Sequence, residues 1–193
     1  MPTELHEIEK EAMRVVRGAV SLEPPIRVED ILMKTWPKMH VGEADLGDYH
    51  GALVTDGGRA AMYVTKIANT DQKNIILAHL TWHWIKQALK GQIDLTRQCL
   101  VHVPREETTP QAQVEREADV FAGELLVPLE VLENHIDFPA DPKTEGERSY
   151  MEQRTIELAR QFAVPADVMK ARLKLFAARR RSFRPNKGPY RRR

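Results

Sequence analysis

Residues 74–89 read NIILAHLTWHWIKQAL, and two histidines among them, His79 and His83, stand four residues apart in an apolar pattern of helical period. Four residues is about one turn, so both imidazoles leave one face of the helix, which is how a metal site gathers two ligands from a single element. The same spacing also suits a buried pair of histidines hydrogen-bonded to their neighbours. Between them stand Leu80, Thr81 and Trp82, none of them an acid or a base.

The 193 residues are enough for one compact domain with a substantial core. A content of 42% hydrophobic and 30% charged residues describes an ordinary globular chain, with no apolar run of the length a membrane span needs. The opening MPTELHEIEKEAM is acidic and without an apolar signal segment, and Cys99 stands alone. Both features lead to the expectation of a cytoplasmic protein.

Around the central helix, residues 3–16 predict an amphipathic helix with Leu5, Ile8, Ala12, Val15 and Val16 on one face. A shorter helix is expected over 28–36, closed by Pro37, with Ile31, Leu32 and Thr35 spaced to pack. Residues 39–41, 49–55 and 60–67 are rich in β-branched and aromatic types, and Asp56-Gly57-Gly58 supplies a hairpin turn. A small antiparallel three-stranded sheet on a helical core is therefore expected, in the α+β class. The central helix should be capped by Thr70 or Asp71 and stop at Gly91.

A second strong helix start, Thr109-Pro110, opens QAQVEREADVFAGELLV, with Val114, Ala118, Phe121 and Leu125 as its core stripe. Beside the stripe, Glu115 and Asp119 lie one turn apart. Glu115 has the chemistry of a third ligand beside His79 and His83, and Asp119 that of a carboxylate accepting the outer N–H of a ligand imidazole. Without a metal, these acids would simply pair with the histidines. His102, Glu106 and Glu107 are alternative ligands, whereas His6, His40 and His135 look incidental, and Trp82 and Trp84 read as core or groove aromatics.

These stretches together resemble the ImmA/IrrE family of zinc metallopeptidases. The resemblance is carried by I-I-L-A-H-x-x-x-H and by E-R-E-A-D-V-F-A-G-E-L-L-V-P, where Glu115, Ala118, Asp119, Phe121, Ala122, Leu125, Leu126 and Pro128 fall on the family pattern. It covers roughly residues 28–176 and implies a zincin-like metallopeptidase fold, a Zn2+ cofactor and action on a transcription repressor, often by cutting it. The departure is at the family's A-H-E-L-G-H, which here reads Ala78-His79-Leu80-Thr81-Trp82-His83. The ligands are kept and the glutamate that acts as general base is replaced by Leu80. Such a base typically supplies a factor of about 10²–10⁴, so the expectation is a pseudoenzyme, with Leu80→Glu the change that would restore some activity. Glu117, Glu124 and His50 are conceivable substitute bases that no spacing singles out.

The C-terminal part offers another class of function. Residues 155–162, Val164-Pro165 and residues 166–178 outline a helix-turn-helix within a helical pair at about 145–178, packed through Leu158, Ala159, Val164, Val168 and Leu173, with Ala163 in place of the usual turn glycine. From Arg172 to Arg193 there are ten Lys or Arg and no acid, leaving nineteen bases against twenty-eight acids in the rest. Residues 1–178 thus read as one domain and residues 179–193 as a basic, disordered tail. Lys170, Lys174, Arg179, Arg180, Arg181, Arg184, Arg191, Arg192 and Arg193 are the candidate contacts to nucleic acid or an acidic partner. The alternative is that the helical pair only caps the core.

Overall fold

A computed structural model describes residues 2–19, 22–56, 59–88, 96–99, 110–137 and 143–182. Helices α1 (Pro2–Ala19) and α2 (Val28–Thr35) precede strands β1 (Met39–Ala44), β2 (Gly51–Asp56) and β3 (Arg59–Thr65). Helix α3 (Thr70–His83) runs into a single π-helical turn, Trp84–Ala88. Strand β4 (Thr96–Cys99), helices α4 (Pro110–Leu126) and α5 (Leu129–Leu132), and the pair α6 (Glu145–Phe162) and α7 (Ala166–Ser182) follow.

The α+β class is as expected, but the sheet differs from the predicted three antiparallel strands. Its order is β1-β3-β2-β4, with β1 parallel to β3 and the other two pairings antiparallel. The β2–β3 hairpin forms in register, Asp56 opposite Arg59; the turn residues Gly57 and Gly58 lie outside the described residues. The extra strand β4 reads TRQC, too short and polar for β-periodicity to register. Strand β1 is parallel because the chain crosses between Ala44 and Gly51 before β2 begins, so β1 and β3 run the same way on one side of the hairpin.

The core is shared by α1, α2, α3, α4, the sheet and the α6–α7 pair. Ile8, Ala12, Val15 and Val16 of α1 are buried as its amphipathic pattern requires. In α2, Val28, Ile31 and Leu32 are buried, while Thr35, expected to pack, is exposed. The cap of α3 is Asn69, one residue before the expected Thr70. Its Oδ1 accepts from the Gln72 N–H at 2.9 Å and its own N–H donates to Gln72 Oε1 at 2.9 Å, a reciprocal box that Thr70 and Asp71 cannot make from inside the first turn. Asn74 then ties α3 to the start of α2, accepting from the Val28 N–H and donating to the Ile26 carbonyl.

Helices α3 and α4 pack face to face. Ala78, Ala118 and Ala122 are fully buried, and small side chains at a crossing let backbones approach closely. The aromatic pair Trp82–Phe121, with centroids 5.1 Å apart, fills the same contact. The α6–α7 turn is a Schellman motif in which Ala163 takes φ 51°, the Val164 N–H donates to the Ala159 carbonyl at 3.0 Å, and the Ala163 N–H to the Arg160 carbonyl at 3.1 Å. Helix α7 continues to Ser182, so residues 179–182 are helical where a disordered tail was expected. Among the described residues, no helix is long and apolar enough to cross a membrane.

Candidate metal centre

The packing of α3 on α4 brings His79, His83 and Glu115 together. His79 Nε2 and His83 Nε2 are 3.1 Å apart, and Glu115 Oε2 lies 3.0 Å from the first and 3.3 Å from the second. Their residues are 1%, 0% and 5% exposed. On the far side of the His79 ring, Nδ1 is 2.9 Å from Asp119 Oδ1, whose carboxylate also reaches solvent. With Nδ1–H donated to Asp119, a neutral His79 keeps its lone pair on Nε2, facing the Glu115 oxygen and the second imidazole. Three polar atoms this close are satisfied either by a proton held between them, as when His83 donates its Nε2–H, or by a metal ion that all three share.

The donor set suits a metal. Ligand atoms about 2.0–2.2 Å from a tetrahedral ion stand about 3.3–3.6 Å apart, and the three edges here fall within a few tenths of an ångström of that range. Among the described residues, this is the one group of three or more His, Cys, Asp or Glu side chains whose ligand atoms cluster in this way. His83 Nδ1 is buried and without a hydrogen-bond partner among the described residues, which leaves Nε2 as the nitrogen committed to the cluster. A buried His-His-Glu group able to hold a metal ion is therefore present.

The other candidates lie elsewhere. Leu80 is fully buried and turned toward the sheet, where Gly51 of β2 lies beside it. Glu117 is 3.3 Å from Lys86, which also stands 5.0 Å from the Trp82 ring centroid. Glu124 is buried against Arg172 of α7, and its carboxyl is pushed above the usual carboxylate range by burial, with the Arg172 charge pulling the other way. His50 is exposed and borders a separate opening with Gln72 and Ile76. His102, Glu106 and Glu107 lie outside the described residues.

The basic residues are divided. Lys170 and Lys174 are exposed on α7. Arg179 pairs with the buried Glu9 of α1, and Arg180 lies 4.0 Å from Glu133 and over the Phe176 ring. Arg181 falls in α7, and Arg184, Arg191, Arg192 and Arg193 lie outside the described residues. Sequence reasoning passes over Arg172, Glu9 and Gly51. Arg172 reads only as the first base of the basic run, between Lys170 and Lys174, and Gly51 only as a glycine opening a strand.

Compared with family models and with curated proteins, the chain finds no match.

Proposed function

We propose that this chain is a zinc-binding regulatory protein built on the zincin-like plan of the ImmA/IrrE metallopeptidases, which has kept the metal ligands and lost hydrolysis. The observation that carries the reading is the meeting of His79, His83 and Glu115 within 3.3 Å of one another, with Asp119 behind His79. These residue types match a His2Glu zinc site with a carboxylate fixing one imidazole. When bound, zinc lowers the pKa of its water and polarises a carbonyl. Here the next step lacks an agent: Leu80 cannot take the proton, and neither Glu117, held by Lys86, nor Glu124, held by Arg172, joins the cluster. The role that remains is recognition of a partner inside the cell, for which the resemblance suggests a transcription repressor.

Metal analysis of the purified chain tests this reading. About one zinc per chain, lost in His79→Ala, is the expected result; a chain that takes up no zinc from excess metal overturns it. Efficient zinc-dependent peptide hydrolysis by the wild type would refute the loss of activity. A nucleic-acid role for the helical pair has less support, because Arg172 and Arg179 are turned into contacts with Glu124 and Glu9.

A further inference from the structure

Helix α3 carries a second stripe beside its ligands. At about 100° per residue, Ile76 and Leu80 lie about 60° round the helix from His79 and His83 and face the sheet. They are 3% and 0% exposed. A Cβ built on Gly51 of β2 would stand 2.5 Å from Ile76 Cγ2 and 3.2 Å from Leu80 Cδ1. The first distance is closer than side-chain atoms tolerate, so the strand lies this near the helix only because position 51 has no side chain. The stripe next to the ligands is thus sealed by an apolar contact in which strand backbone meets helix side chains directly.

We propose that Leu80 is an apolar plug on the sheet side of the metal centre, in which the ion fastens α3 to α4 and which stays inactive even when a carboxylate is put back at position 80; this rests on the zinc-binding reading above. A missing base and a plug are different claims. If position 80 merely lacked a base, the space around it would accept a glutamate and its hydration. Instead, Leu80 has no exposed surface and lies with Ile76 against Gly51. A glutamate there must bury its charge, take up a proton and lose its use as a base, or push β2 away from the helix. The seal also slows exchange from the sheet side, because water and competing ligands gain no approach to the ion past an apolar contact.

The experiment uses the full chain loaded with zinc and follows zinc release to excess EDTA with a chromogenic indicator. Leu80→Ala, which opens a void beside the ligands, is expected to speed release by about tenfold or more, Leu80→Val by less, and Leu80→Met to leave it within about threefold. Leu80→Glu is expected to melt about 5–10 °C below the wild type and to cleave no casein. Equal release rates in the wild type, Leu80→Val and Leu80→Ala would overturn the proposal while leaving the zinc reading intact. So would a Leu80→Glu chain that melts like the wild type and cleaves casein. A wild type that binds no zinc removes both.

Discussion

The most exacting prediction concerns Arg172, whose guanidinium lies inside the molecule where α7 meets α4. It donates to Glu124 through Nη2 and, through Nε, to the Val127 carbonyl at 3.0 Å, and both residues of the ion pair are 4% exposed. Arg172→Met keeps much of the volume and removes the charge and both hydrogen bonds. Breaking one side of a buried pair costs about 3–5 kcal/mol, because the remaining carboxylate keeps its desolvation cost and loses its partner. For a chain of this size, that is a fall in melting temperature of about 10–15 °C. The pH dependence is the sharper diagnostic. Burial already raises the Glu124 carboxyl above 4.5, with the neighbouring Glu9 adding to it, while Arg172 and the Leu129 N–H oppose the rise. Removing Arg172 raises it further. A carboxyl whose folded pKa exceeds its unfolded value contributes stability below the unfolded pKa, and that stability is lost as pH rises through the folded one. The variant should therefore recover relative to the wild type as pH falls from neutrality toward about 4.5, by up to about 1.4 kcal/mol per unit. Urea denaturation followed by circular dichroism at pH 7 and pH 5 measures both effects. Replacing both partners, Glu124→Leu with Arg172→Met, should return stability to the wild-type level or above. A loss below about 1 kcal/mol for the single variant, or a double variant as unstable as the single one, would refute the reasoning.

Three further outcomes are expected. Asp119→Ala should weaken zinc binding about 10- to 100-fold in a competition titration, since His79 loses the acceptor that orients its ring. Ala163→Gly should stabilise the chain by about 0.5–1 kcal/mol in thermal or urea unfolding, because the left-handed φ of 51° strains alanine and costs glycine nothing. Thr144→Ala should cost about 1 kcal/mol by the same assay, because Thr144 Oγ1 accepts from the Glu147 N–H at 3.1 Å and is half of the box that starts α6.

The parts of this molecule legible from residues are those in which one helix face carries the signal. The spacing of His79 and His83 puts both on one helix face, and the same spacing puts Glu115 and Asp119 on one face of α4; only their joint occurrence in two helices singled them out as one site. The burial of Ala118, Phe121 and Leu125 follows from the same period. What escaped is information held between elements. Nothing in MHVGEA says that β1 will run parallel to β3, because direction is set by the route of the connection and not by the strand. Gly51 opposite Ile76 and Leu80 is a close approach between strand and helix, and a lone glycine at the start of a strand carries no mark of it. Arg172 reads as one more base in a basic run, and only the fold shows that it is buried and paired with an acid 48 residues earlier.

The pairing of Glu9 with Arg179 joins residues 170 positions apart, and the apolar face of α1 meanwhile rests on α4. Helix α1 is therefore translated about 90 residues before α4, with α2 following it sooner and covering it only in part. At ribosomal speeds, its exposed Ile8, Ala12, Val15 and Val16 wait on the order of ten seconds for α4, and longer for α7. The nascent chain thus carries a sticky helix during that interval. Chaperone demand and aggregation in a cell-free translation should be set by that interval more than by the stability of the finished fold.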